Sequence, residues 1–156
     1  MVDKIVELAN ILNSDYDWEV KDAARKELKD IIIPKVEKIN ELFVKTNLPK
    51  HFELNGFEGN VFIKNDCDWN GKILDKKNII LIRVRGTEEG FGYHDNTYID
   101  LDYFNKSDEE LLEMFKEESI SQKQLLIEIQ TSQIETINAK MIELKNQIEK
   151  IKKESL

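Results

Sequence analysis

The residues best placed to do chemistry lie in the stretch DCDWNGKI, where oxygen-bearing side chains alternate. Asp66, Asp68 and Asn70 match the first ligands of an EF-hand-like calcium loop, and Gly71 stands where that loop turns sharply. The last ligand position, which should be a bidentate glutamate, is Lys77, and strand-like sequence flanks the loop where helices are required. An Asn-Gly pair also suits the type I′ turn of a plain hairpin. We therefore expect a hairpin, with a calcium-binding module or a metal-dependent hydrolase at this loop as the alternative.

A second candidate centre is His94, which Asp95 could hold as a general base or which could share a metal with Asp100 and Asp102. The other histidine, His51, is far away along the chain, and neither belongs to a Ser-His-Asp order or a His-Glu-x-x-His motif. The tetrapeptide YHDN is also ordinary turn composition. Since a nucleophile, a base and an oxyanion donor cannot all be assigned, we predict no catalytic residue, no metal ligand and no cofactor.

The glycine-rich stretch GTEEGFG resembles a phosphate-binding loop only in its glycines. Glu88 and Glu89 would repel a polyphosphate, and no lysine follows as it does in a nucleotide loop. A hairpin connection is the simpler interpretation. Phe91 and Tyr93, near its tip, are candidate contacts for a protein partner, because aromatic residues are enriched at protein interfaces.

Charge and composition exclude several classes of function. With 31 acidic against 23 basic residues the formal net charge is -8, so attraction to a phosphate backbone is not expected. Cys67 is the only cysteine, which rules out an intramolecular disulfide and a cysteine-based zinc cluster. The N-terminal stretch lacks the uninterrupted apolar core of a signal peptide, and no apolar run reaches the ~20 residues of a membrane span. The expected setting is cytoplasmic, without direct contact to nucleic acid or membrane.

Glycine content divides the chain into three zones, because all six glycines lie between Gly56 and Gly92. In the front zone, apolar residues at helical spacing predict two helices, the second with Ser14 as its N-cap. Pro34 should kink or restart this second helix, since proline has no amide hydrogen to donate. The stripe that should face the core consists of Ala24, Leu28, Ile32, Val36, Ile39 and Phe43.

The middle zone alternates with period two in NVFIK, KNIILIRVR and TYIDLDYF, which predicts strands joined by tight turns. In the second strand, alternation places Ile80, Ile82 and Val84 on one face, and Leu81 on the other face with two arginines. If this strand pairs with TYIDLDYF through the apolar faces, Arg83 or Arg85 lies opposite Asp100 in a cross-strand ion pair. A small antiparallel sheet of hairpins then explains these charges without catalysis.

The back zone predicts a long helix from about Ser107 to Lys153, with Ser107 and Glu110 forming a capping box. A bend or break is expected near residues 119–121, where apolar residues are sparse. With Ile120 as heptad position a, apolar residues fill the a and d positions of the last three heptads, as in a coiled coil. The residues expected at an oligomer interface are Ile127, Ile134, Ile137, Met141, Leu144, Ile148 and Ile151.

The length of the predicted C-terminal helix indicates what could cover this apolar stripe. A helix from Ser107 to Lys153 would extend about 70 Å, against about 40 Å for the front helix. We therefore expect a second copy of the chain to cover the overhang, with packing against residues 18–45 of the same chain as the alternative. A parallel dimer would bring Lys140 close to Lys145 of the other chain, and isoleucine at both a and d favours more than two strands. A parallel dimer, an antiparallel dimer and a trimer all stay open.

The sequence thus predicts an α+β protein with N-terminal helices, a small antiparallel sheet of hairpins and a long C-terminal helix ending in a coiled coil. Its expected domains are an α+β head, 1–118, and a coiled-coil helix, 119–156. The expected function is a non-enzymatic protein-protein interaction module, an adaptor, assembly or regulatory subunit, which binds itself and another protein. A second hypothesis is a small inhibitor of a nucleic-acid enzyme, of the kind that phages or mobile elements carry.

Overall fold

The computed structural model describes residues 1–88 and 91–155, without the side chains at 75–77, 79–80, 82–88 and 91–94. Within this range it has three α-helices and a three-stranded antiparallel sheet of order β1-β2-β3, which confirms the predicted α+β class. The elements are α1 Val2–Leu12, α2 Trp18–Lys45, β1 Phe57–Cys67, β2 Ile73–Glu88, β3 Phe91–Asp100, a 3-10 helix Leu101–Asn105, and α3 Asp108–Glu154. Backbone contacts divide the chain into a head unit, Met1–Phe115, and a tail segment that starts at Lys116.

The head unit has its main core between the first two helices and one face of the sheet. All six residues of the predicted α2 stripe are buried, which confirms that face of the helix. Helix α1 contributes Ile5 and Leu8, and the sheet contributes Val61, Leu81 and Ile99. Because these sheet residues share one face, the helices cover a single side of the sheet.

A second apolar cluster joins the end of α2 to the first turns of α3, inside the head unit. Its centre is aromatic, with the rings of Phe43 and Phe115 4.5 Å apart and those of Tyr103 and Phe115 5.6 Å apart, edge to face. Lys35 ties the same region together by donating from Nζ to the carbonyl of Lys106. The start of α3 is therefore fixed by burial as well as by its cap.

The pairing of β2 with β3 differs from the sequence prediction. Asn78 lies opposite Asp100, and Arg83 lies opposite Asp95, so the expected pairing of an arginine with Asp100 is wrong. Leu81, expected on the outer face, is completely buried. Strand β2 is apolar on both faces, and a one-residue slip exchanges the faces, so alternation had no means of choosing between them. The arginine side chains lie outside the described residues.

The third predicted strand also ends early. Asp100 Oδ1 accepts a hydrogen bond from the amide of Asp102 at 3.0 Å and so starts the 3-10 helix in place of further strand. Asp102 then lies within hydrogen-bonding range of Lys106, with 3.4 Å between Oδ2 and Nζ. This turn carries the chain out of the sheet and toward α3.

Helix ends agree with the sequence at α3 but not at α2. The Glu110 amide donates to Ser107 Oγ at 3.1 Å, which confirms the predicted cap. Ser14 is not a cap: its hydroxyl donates to the Asn10 carbonyl, and α2 begins only at Trp18. Helix α2 continues through Pro34. Helix α3 continues through 119–121, so the predicted break there is wrong. The Glu, Lys and Gln residues on both sides of this stretch are good helix formers.

Candidate functional site: the apolar face of the tail segment

The tail segment exposes every residue from Ile120 to Ser155 to solvent. All seven residues predicted at the oligomer interface lie in this range, and each is at least half exposed: Ile127, Ile134, Ile137, Met141, Leu144, Ile148 and Ile151. We call this set the seam. In the single chain the seam is therefore an uncovered surface.

The seam residues form one continuous surface because they lie on the same side of an unbroken helix. Residues spaced alternately three and four apart fall on one side of an α-helix, and α3 keeps its helical hydrogen bonding without a break from Asp108 to Glu154. Between Ile127 and Ile151 the seam extends about 36 Å along the helix. The a and d spacing of such a stripe matches that of a second helix with the same pattern.

The seam is energetically costly to leave in water. Burying one Ile, Leu or Met side chain contributes about 1.5–3 kcal/mol, so covering the seam would contribute on the order of 10 kcal/mol per chain. Most helices in proteins also depend on packing of their apolar face for stability, because intrinsic propensity alone is marginal in water. Covering the seam would therefore add stability to a helix whose residues from Ile120 to Glu154 are all exposed.

Four exposed apolar residues of the tail segment lie outside the seam and were missed by the heptad analysis. They are Leu125, Leu126, Ile129 and Ile142. The first three give the stretch LLIEI apolar residues on several sides of the helix, a signal that the sequence already contained. This part of α3 therefore presents more apolar surface than one seam accounts for.

The head unit exposes both Trp69 and Trp18 to solvent. Strand alternation places Cys67 and Trp69 on one face and predicts that they belong to the core or its edge. Trp69, at the tip of the β1–β2 hairpin, is instead 93% exposed, and Cys67 is exposed too, so that prediction is wrong. The reason is that both residues lie beyond the part of the sheet that the helices cover. Trp18, at the start of α2, is 71% exposed, and Tyr16 and Val20, which lie near it in the chain, are also exposed.

The candidate calcium loop is a hydrogen-bonded turn. Asp68 Oδ1 accepts from the amides of Asn70 and Lys72, both at 2.9 Å, and the Gly71 amide donates to the Asp68 carbonyl at 3.0 Å. Gly71 has a φ of +82°, but Asn70 has no positive φ, and a type I′ turn requires one at both positions. The predicted hairpin is therefore confirmed, whereas the predicted type I′ turn is wrong. Asp66 is half-buried, and the described residues contain no group of three acidic, His or Cys side chains that could hold a metal ion.

The remaining sequence candidates fall where the structure gives only backbone. Phe91, Tyr93 and His94 belong to β3, but their side chains lie outside the described residues. Their predicted roles in partner binding or catalysis therefore stay predictions.

Comparisons with protein-family models, with curated proteins and with solved structures find no match to this chain. Among the helices of the described residues, none combines the length and apolar character needed to cross a membrane.

Proposed function

We propose that this protein is a non-enzymatic interaction module that self-associates through the tail segment and presents its head unit to another protein. The observation that supports it is the uninterrupted helix from Lys116 to Glu154, which carries a regular seam of exposed Ile, Leu and Met side chains. A second copy of the chain is the partner whose seam has the same spacing. Pairing two copies would remove apolar side chains of both seams from water at once.

A membrane surface fits the tail segment less well. Helices that lie on membranes carry a strongly basic polar face opposite the apolar one. From Ile120 to Glu154 the chain has six lysines and five glutamates, so its polar positions carry almost no net charge. The mixed charges instead resemble the outer face of a helix that packs against protein.

The head unit offers surface for the second partner. Trp69 and Trp18 are exposed on two different parts of the head unit, and Ile73, Leu74, Tyr16 and Val20, which lie near them in the chain, are exposed as well. Tryptophan and tyrosine are the residues that contribute most binding energy at protein interfaces. A reducing, cytoplasmic setting agrees with the exposed free thiol of Cys67.

The test is the mass of the full chain in solution, measured by light scattering. Ile137→Glu places a charge in the seam, whereas Ile142→Glu makes the same change off the seam, and the two isoleucines are 58% and 61% exposed. We expect the unmodified chain and the Ile142→Glu variant to be oligomers of the 18.3 kDa chain, and the Ile137→Glu variant to be monomeric. A monomeric unmodified chain would contradict the proposed function.

A further inference from the structure

Resting on the self-association proposed above, we infer that two tail segments pair antiparallel in one particular register. In that register Ile134 lies opposite Ile151 of the partner subunit, and Met141 lies opposite Leu144 of the partner subunit. Three features of the tail segment support it: the symmetry of its seam, the place where the seam becomes polar, and the position of its lysines.

The seam is self-complementary when one copy is reversed. Antiparallel helices pack position a of one chain against position d of the other. Reversing the last three heptads pairs Ile134 with Ile151, Ile137 with Ile148 and Met141 with Leu144, and every layer is apolar on both sides. The centre of symmetry falls between Ile142 and Glu143, both outside the seam.

Polar residues end the seam on its N-terminal side. The heptad positions before Ile134 include Gln130 and Lys123, both exposed in the single chain. A parallel pair that used the whole seam would place each of them against its own copy in the interface. The antiparallel register puts Gln130 opposite Ser155 of the partner subunit, outside the apolar layers, and sets neither Gln130 nor Lys123 against its own copy.

Lysine positions discriminate between the arrangements. In a parallel pair Lys140 flanks Lys145 of the partner subunit, and an antiparallel pair shifted by one heptad sets Lys140 beside its own copy. Like charges at such positions are destabilising. In the register inferred here Lys140 flanks Gln147 of the partner subunit, and Lys145 flanks Asn138 of the partner subunit. No like-charge pair flanks the interface.

Antiparallel pairing would place the two copies of Lys116, where each tail segment begins, far apart. Lys116 lies about 40 Å along the helix from the centre of symmetry, so the two copies of this residue stand about 80 Å apart. A parallel pair would hold them side by side. The inferred dimer is therefore a spacer, suited to a partner that offers two binding sites at a distance.

Disulfide trapping in the full chain tests the orientation. In a Cys67→Ser background, which removes the only native thiol, we compare Ile134→Cys, Ile151→Cys and the variant with both changes. Opposed a and d positions in a coiled coil approach within the 4.4–6.8 Å between Cα atoms that a disulfide needs. We expect covalent dimers from the double variant under mild oxidation and none from either single variant. Ile142→Cys, off the seam, is the negative control.

The outcomes separate this inference from the proposed function. Covalent dimers from each single variant would show parallel chains, and would overturn the inference while leaving self-association intact. Trapping by Ile127→Cys with Ile151→Cys in place of the pair above would show the shifted register and overturn it as well. A chain that is monomeric by light scattering would remove both proposals.

A second measurement leaves the seam unchanged, in case cysteines in the seam prevent folding. A spin label at Gln122→Cys in the same Cys67→Ser background, on the exposed surface of the helix, reports the distance between the two chains. We expect a separation of about 60 Å for the antiparallel register, and roughly 20 Å, the width of two helices, for a parallel pair. The shorter distance would overturn the inference.

Discussion

The backbone of Gly59 in β1 lies directly against the carbonyl of Arg25 in α2. A Cβ atom built on Gly59 would stand 2.2 Å from the Arg25 carbonyl oxygen, and the φ of Gly59 is +99°. No other residue type fits this contact without moving a helix or a strand. The close approach fixes the distance between α2 and the edge of the sheet, which is where the main core begins.

Gly59→Ala is therefore expected to lower the free energy of unfolding by at least about 3 kcal/mol, from backbone strain together with overlap against a backbone atom. Gly71→Ala is the matched control, because Gly71 also has a positive φ but has nothing within 4 Å of the added atom. It should cost only about 1–2 kcal/mol. Urea unfolding of both variants measures the difference, and equal losses would contradict the contact.

Asn40 holds the loop that follows α2. Its Nδ2 donates to the Phe52 carbonyl at 2.9 Å, and its Oδ1 accepts from the Phe52 amide at 2.8 Å. Asn40→Ala leaves both partly buried backbone groups without this partner and should lower the free energy of unfolding by about 2–3 kcal/mol. Glu41→Ala on the same helix removes only an exposed ion pair with Lys38 and should change stability by less than about 0.5 kcal/mol.

The helicity of the tail segment should depend on protein concentration. In the proposed oligomer the seam is buried, so dilution should favour the unpaired helix, whose apolar face is not packed. Thermal melting followed by far-ultraviolet circular dichroism should show a midpoint that rises with concentration. The Ile137→Glu variant should lose part of the helical signal and show no such rise. A midpoint independent of concentration in the unmodified chain would contradict the prediction.

The fluorescence of both tryptophans should be that of solvent-exposed side chains in the isolated protein. Trp18 and Trp69 are mostly exposed, so native emission should lie close to that of the unfolded chain, and a soluble quencher should reach both side chains. Trp18→Phe and Trp69→Phe separate the two signals. A blue-shifted, protected Trp69 would show that the hairpin tip is covered in the oligomer.

Calcium should leave the thermal midpoint unchanged. The Asp68 oxygen that a cation would need already accepts two backbone amides of the turn, and a ligand must bind the folded state to stabilise it. Asp68→Ala should cost about 1 kcal/mol through loss of the turn, whereas Asp68→Asn keeps an acceptor oxygen and should cost less. A midpoint that rises with calcium would revive the metal-binding hypothesis.

Local features of this protein could be predicted from the sequence because their causes are local. The buried face of α2 follows from helical periodicity in one segment, and the start of α3 follows from Ser107 and Glu110 three residues apart. The hairpin turn that contains Gly71 follows from the positive φ that glycine tolerates. The spacing of the seam could also be predicted, because both the spacing and the continuous helix are determined by residues within the tail segment.

Only the tertiary structure decided which face of β2 is buried and where β3 ends. Strand β2 is apolar on both faces, so its own sequence permits either, and packing against α1 and α2 selects the face that contains Leu81. The close approach of Gly59 to Arg25 and the exposure of Trp69 are set in the same way, by how far the helices reach across the sheet. The periodicity of apolar residues shows which residues of a strand or helix share a face. Which of its faces packs against the rest of the molecule depends on residues distant in the chain, so the local pattern alone does not determine it.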